Sequence, residues 1–415
     1  MGYGPTHRTW PAIAVALTVV GVLAIGPTTK AQAASSPEFA GLLQHATNGS
    51  RFAESWRLKF GGWLNAGFTF NPGQPGDHIN GPVSFSDRAN EFQLNQLNVY
   101  AERKPRDLED QWDWGGRFDF VFGSDAIFTR SLGDPGDHWD AHLLHRRVYG
   151  ISLPQIYLEL AVPIGKGLHV KLGEFYTIIG HESVMAPDNF FYSHAYTMQY
   201  GEPFSHTGVL ASSKFNDIFE LQAGAVTGSP LAGWDGGFQH GIENWAFVGG
   251  LHWTSPTTGN SISLTATQGD WNSATSRELA FYSIVARHDF NDRLHGVLQH
   301  DHGWISGAGE SNHDWYSLVG YLAFDIDDKL AVGTRMEWFR DDDGVRVTTS
   351  AREPTTTLPA SNYFAATLGL NWKPMTWLMI RPNLRVDLSD GATAFEAGRS
   401  DHQYLVSLDA LLTLQ

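Results

Sequence analysis

The chain has 415 residues, a formal net charge of −16 and no cysteine. Without thiols there is no disulfide framework, no thiolate metal site and no lipid-modified N-terminal cysteine, and the acidic balance argues against nucleic acid as a partner. With 44 Gly, 15 Trp and 25 Phe, yet a slightly negative mean hydropathy, the composition is unlike a soluble core of this size and suits strands that alternate between lipid and water.

The chain opens as an export signal. His7 and Arg8 form a short basic start, Ile13 to Ile25 an apolar run, and Ala31-Gln32-Ala33 the small residues that signal peptidase requires. Residues 1–33 therefore read as a signal peptide cleaved near Ala33, because the run is too short and wrongly flanked for a membrane helix. Its removal takes Arg8 and Lys30 and no acid, moving the net charge from −16 to −18. Residues 34–55 read as a short periplasmic lead-in and 56–415 as one domain. After Ile25 no stretch approaches the roughly 18 apolar residues of a helical span.

The remainder reads as about sixteen strands of period two, near 57–70, 89–104, 111–123, 151–162, 168–178, 205–215, 218–228, 244–255, 261–270, 278–290, 294–305, 314–325, 330–340, 362–373, 377–389 and 401–415. The third puts Trp112, Trp114, Gly116, Phe118, Phe120 and Phe122 on one face, against Asp113, Arg117 and Asp119. The last puts Tyr404, Val406, Leu408, Ala410, Leu412 and Leu414 on one face. The sixth and eleventh alternate least clearly. Connections after even strands are short, such as Pro163 to Gly167 and Asn291-Asp292-Arg293. Those after odd strands are mostly long: 71–88, 124–150, 179–204, 229–243 and 341–361. That asymmetry predicts a transmembrane antiparallel β-barrel with long external loops, short periplasmic turns and both termini in the periplasm. Trp245 and Trp253 share a face eight residues apart, which is about 20 Å along the membrane normal at roughly 3.3 Å per residue and about 40° tilt. Trp372 and Trp377 bracket a turn where a periplasmic aromatic girdle belongs.

Opposite the apolar faces stand Asp113, Arg117, Asp119, Glu159, Lys171, Arg335, Glu337, Arg381, Arg385 and Asp387, five acids and five bases. Facing lipid they would cost roughly 2–4 kcal/mol each at mid-depth, so they are assigned to the lumen. Sixteen strands enclose more space than wall side chains can fill, so the expectation is an aqueous pore with these charges opposed across it. The 179–204 connection is rich in aromatics, from Phe190 to Phe204, and would expose a large apolar patch as a free loop; it is expected to fold against the inner wall. Its ionisable residues are His181, Glu182, Asp188, His194 and Glu202, with no Lys or Arg, which predicts a constriction that favours cations.

Gly173-Glu174-Phe175, Gly180-His181-Glu182, Phe191-Tyr192-Ser193-His194 and the run from Gly201 to Gly208, with Gly61-Gly62-Trp63-Leu64-Asn65-Ala66-Gly67 and Asn71-Pro72 at the start, resemble the putative β-barrel porin-2 family, the OmpL-like outer-membrane proteins. The resemblance runs over most of the chain after the signal and implies an outer-membrane channel. Assembly signals of such barrels usually end on an aromatic residue, whereas this chain ends Leu414-Gln415.

Two chemical alternatives are weaker. His138, His142 and His145, with Asp134, Asp137 and Asp140, have spacings that can hold a divalent metal, but 18 His are scattered over the chain and external loops are polar anyway. His181, Ser183 and Asp188, or His206 with Ser205, could be drawn as a hydrolase site, yet no nucleophile-elbow glycines surround any Ser. The expectation is a non-enzymatic porin-like channel without metal or cofactor. It would pass small hydrophilic solutes and ions, and its partners would be outer-membrane lipid, the barrel assembly machinery and, as an open question, further copies in a homo-oligomer. A substrate-selective channel and a structural or adhesive barrel are the alternatives.

Overall fold

The computed structural model describes residues 51–414 apart from 109, 132–142, 145–147, 230–231, 233, 239–244, 273–276, 308, 310 and 353–355. The expected signal peptide, most of the expected lead-in and the 134–145 His/Asp group lie outside the described residues. A one-and-a-half-turn helix, Arg51–Trp56, precedes the strands β1 (Lys59–Phe70), β2 (Phe92–Arg103), β3 (Asp113–Gly123), β4 (Gly150–Ser152), β5 (Ile156–Val162), β6 (Leu168–Tyr176), β7 (Ser205–Lys214), β8 (Phe219–Thr227), β9 (Ala246–Thr254), β10 (Ser261–Asn272), β11 (Arg277–Asp289), β12 (Leu294–Gly307), β13 (His313–Asp327), β14 (Leu330–Asp341), β15 (Ser361–Met375), β16 (Leu378–Ser389) and β17 (His402–Thr413).

Neighbours in sequence pair antiparallel, and β17 pairs with β1 from Trp63↔Thr413 to Phe70↔Val406, so the sheet closes. Closure leaves no strand edge with unpaired backbone groups, which is what lets a sheet stand in hydrocarbon. β4 and β5 both pair with β3 and occupy one position, so the barrel has sixteen strand positions. The interruption falls at Leu153-Pro154-Gln155, where Pro154 has no N–H to give to the ladder. All sixteen expected segments are strands. β7 and β12 alternate poorly because β7 is rich in small residues and β12 carries polar groups on both faces, such as Gln299 and Asp301 inward against His300 and His302 outward; pairing on both sides holds them.

The faces are inverted relative to a soluble protein. Along β17, Tyr404, Val406 and Leu408 are exposed while Gln403, Ser407 and Asp409 are buried. On β3, Trp114 and Phe118 are exposed on the outside while Asp119 is buried within. Exposed outward Leu, Phe and Trp recur around the wall, the signature of a lipid-facing surface. Connections at one end are short, at 163–167, 215–218, 290–293 and 328–329. Those at the other include 71–91, 177–204, 342–360 and 390–401. Chains from the long-loop end fold inward, where Trp234, Val347, Leu358, Ala394 and Phe395 join the inward Val226, Val248, Leu279, Phe281, Trp315 and Phe339 in one apolar cluster.

Candidate functional site

The 177–204 connection leaves β6, passes through the barrel and returns to β7. The His181 amide donates to Gln299 on β12, and Gln96 on β2 donates to the Val184 carbonyl. Thr197 donates to Asp301 on β12, and the Trp315 indole on β13 donates to the Gly201 carbonyl. The aromatics that would have made an exposed patch are packed within: Phe191, Tyr192, Tyr196 and Tyr200 are all buried.

Three wall arginines hold this segment by its backbone. Arg335 donates to the Ser193 carbonyl (2.6 Å), Arg385 to the His194 carbonyl (2.7 Å), and Arg381 to both Ala186 (3.0 Å) and Asn189 (2.7 Å). Each also has a carboxylate: Arg335 has Glu182 at 2.7 Å, Arg385 has Asp387 at 2.7 Å and Glu337 at 3.2 Å, and Arg381 has Asp409 at 2.6 Å. Glu337 accepts the Tyr196 amide and Asp387 the Tyr196 hydroxyl. Charge-assisted bonds of this kind are about twice as strong as neutral ones, and here they form a ladder in two sets, Arg335–Glu337–Arg385–Asp387 and Arg381–Asp409, along β14, β16 and β17.

Shape fixes the same segment. A Cβ on Gly67, Gly333 or Gly369 would stand 2.6, 2.5 or 2.9 Å from the rings of Tyr192, Phe190 and Phe191 respectively, so three wall glycines are sockets for three consecutive aromatics. On β2 the register slips between Asn65↔Gln96 and Ala66↔Leu94. The bulge turns both Asn95 and Gln96 inward, a re-aiming typical of bulges. Asn95 then accepts the Tyr192 hydroxyl, and the Gln96 side-chain Oε1 accepts the Ala186 amide.

The ten wall charges all lie on the inner face, but five of them do not oppose one another across open water. Arg335, Glu337, Arg381, Arg385 and Asp387 are sealed against the inserted segment and one another, because its carbonyls and Glu182 satisfy them at closer range than water would. Asp113 is gripped near the short-turn rim by Arg57, Arg103 and Arg106. Arg117 bridges Asp119 at 2.6 Å and Glu102 at 3.5 Å over the Tyr100 ring. Glu159 meets His169 at 2.9 Å, and Lys171 lies 4.8 Å over the Tyr157 ring.

The segment's own acids also differ from the expected free constriction charges. Burial alone would raise the Glu182 carboxyl, but Arg335 and His194 outweigh it and hold it well below the usual range. Glu202 is buried beside Asp301, and burial together with that neighbour pushes its carboxyl well up, toward the neutral form. Asp188 alone of the three is exposed. His181 accepts a hydrogen bond from Arg287 (3.0 Å), and burial together with that cation lowers its imidazole to about 4. His181 is thus committed to Arg287, Ser183 accepts the Met185 amide, and His206 pairs with Thr177, so neither drawn triad is assembled. Among the described residues no group of three or more His, Asp or Glu is placed to hold a metal.

The opposite side of the lumen is not sealed. Inward residues of β6–β11 at mid-wall and toward the short-turn end, Ser212, Gln222, His252 and Ser263, are half-buried, and Arg287 is exposed. A cavity of about 170 Å³ lies between Tyr176, His181, Glu182, Met198 and Glu202. Sequence reasoning missed Asp409, Asp301 and Arg287. Asp409 and Arg287 are the inward charges of strands whose alternation was already read, whereas Asp301 falls in β12, polar on both faces.

Closure, inverted faces and a chain segment laid across the lumen define an outer-membrane barrel of the porin type. The chain belongs to the family described as putative β-barrel porin-2, OmpL-like, whose sequence model matches residues 57–414. Among solved structures it is similar to OprB of Pseudomonas putida (13% identity, 88% of this chain, 96% of that chain, TM-score 0.55). It is also similar to an anion-selective porin from Comamonas acidovorans (9% identity, 86% and 99%, TM-score 0.56) and to the outer-membrane channel DcaP of Acinetobacter baumannii (11% identity, 86% and 96%, TM-score 0.52). These identities carry the fold alone. No curated protein sequence is a significant match.

Proposed function

We propose that the protein is a passive diffusion channel for small hydrophilic solutes and ions, inserted in outer-membrane lipid by the barrel assembly machinery after cleavage near Ala33. One observation carries the reading. The inserted segment seals the lumen against β14–β17, yet the inner face of β6–β11 keeps half-exposed polar side chains beside it. A non-conducting structural barrel has no need to keep polar side chains hydrated on one side of a lumen that is dry on the other. The inserted segment takes up part of the lumen, which favours small solutes over large ones.

Swelling of liposomes that contain the purified full-length chain tests this. Entry of small sugars with a steep fall in rate as sugar size grows is expected. Swelling no faster than in empty liposomes, together with silent planar bilayers, would leave the structural or adhesive barrel as the reading. Competition among solutes for conductance separates simple diffusion from a substrate-selective channel.

A further inference from the structure

We infer that the passage prefers small anions, with Arg287 as its specificity-determining residue and Lys171 as a second contributor; this rests on the diffusion reading above. The interior charges divide into two groups. On β14–β17 every basic group named above has its acid, so none of those arginines offers an unpaired charge to the passage. The inserted segment's Glu182 is engaged by Arg335, His194 and Tyr321, and Glu202 is buried against Asp301 and Gln299. Neither presents a free negative charge to the half-exposed side.

On that side the balance is different. Arg287 meets the inserted segment directly, and what it meets is His181 Nδ1, a lone pair on an imidazole without charge of its own. The guanidinium charge is therefore not cancelled. Lys171 rests over the Tyr157 ring, with Glu159 opposite it in the β5–β6 register, so it contributes less than Arg287. Neither cation forms an ion pair among the described residues. Most acids on this side have a basic neighbour other than Arg287. Glu159 holds His169, Glu220 stands directly opposite Lys214 in the β7–β8 register, Asp289 and Asp325 share His295 nearer the short-turn rim, and Asp188 faces Arg117 on β3 and not Arg287. Arg117 is occupied by Asp119 and Glu102.

A passage narrowed by protein focuses the field of the charges at its wall. Acidic groups elsewhere on a chain of net charge −16 act through water that screens them within about 8–10 Å at ordinary salt, so they bias the mouth more than the narrow section.

Reversal potentials of the full-length protein in planar bilayers under a potassium chloride gradient test the inference. The expected cation-to-anion permeability ratio is below one. Arg287→Gln should raise it, Arg287→Gln with Lys171→Gln should raise it further, and Arg287→Lys should keep it near wild type. Lys166→Gln, at an exposed turn and paired with Asp217, should leave it unchanged. If Arg287→Gln fails to assemble, Lys171→Gln alone still reports. A conducting wild type that prefers cations, or a ratio unmoved by these substitutions, overturns the anion inference and leaves the channel reading intact. Absence of any conductance overturns both.

Discussion

Arg381 shows how much one side chain holds in this interior. It binds Asp409 through two nitrogens, and a third nitrogen caps two carbonyls of the inserted segment. Replacing it by Met would leave a buried carboxylate with only Asn65, take the donor from the Asn189 carbonyl and leave the Ala186 carbonyl with only the long Asn189 amide contact. Removing one member of a buried pair costs about 3–5 kcal/mol, so Arg381→Met should lower the urea midpoint of the refolded barrel strongly. Arg381→Met with Asp409→Leu should recover part of the loss, because no charge is then stranded. His181 gives a prediction in pH. Its imidazole is held neutral down to about 4, whereas an unfolded His titrates near 6.5. Between those values the unfolded chain binds the extra proton, so this residue's contribution to stability declines as pH falls through that window and is lost below about 4. His181→Gln, which keeps an acceptor and cannot titrate, should flatten the stability of the barrel between pH 7 and pH 4.

At the scale of elements, the inserted segment is fixed by sockets more than by strands. Gly333→Val and Gly369→Val together would put branched side chains where the rings of Phe190 and Phe191 lie. Released from the wall, the segment should be cut by chymotrypsin at its Phe and Tyr residues, and single-channel conductance should rise; resistance equal to wild type would show that the arginine ladder suffices alone. This element also marks the limit of sequence reading. The strands were legible because lipid outside and protein inside impose a strict period of two, as in Trp114, Phe118 and Asp119. The inward course of 179–204 followed from its aromatics. What could not be read was which wall residue meets which part of it. Glu182 was visible as a constriction acid, but its pairing with Arg335, 153 residues away, depends on how the barrel closes and not on any local pattern.

For the whole molecule, topology and lipid exposure are the testable properties. Tags inserted at Gly344 should be labelled on intact cells, and tags at Gly165 or Asp327 only after permeabilisation, since these lie at opposite ends of the barrel. Phe120 lies on the outward face of β3. Phe120→Arg should destabilise the barrel in bilayers by roughly 2–4 kcal/mol if it sits near mid-depth, and less toward either interface.

The arginine anchors also set an order of events. Arg381 reaches back 195 residues to Ala186, and Arg385 reaches 191 residues to His194. Their strands, β16 and its partner β17, are the last in the chain, and β17 also seals the wall to β1. While the chain emerges, the segment between β6 and β7 meets its β1 and β2 partners early but exists long before the arginines of β16, and contacts of such separation form only after the entropy of closing a long loop has been overcome. The lumen is therefore at its widest when the wall is nearly complete, and narrowing comes as a late docking step. A pulse of chymotrypsin during assembly should find Phe190 to Tyr200 open until the final hairpin is in place, and protected soon after.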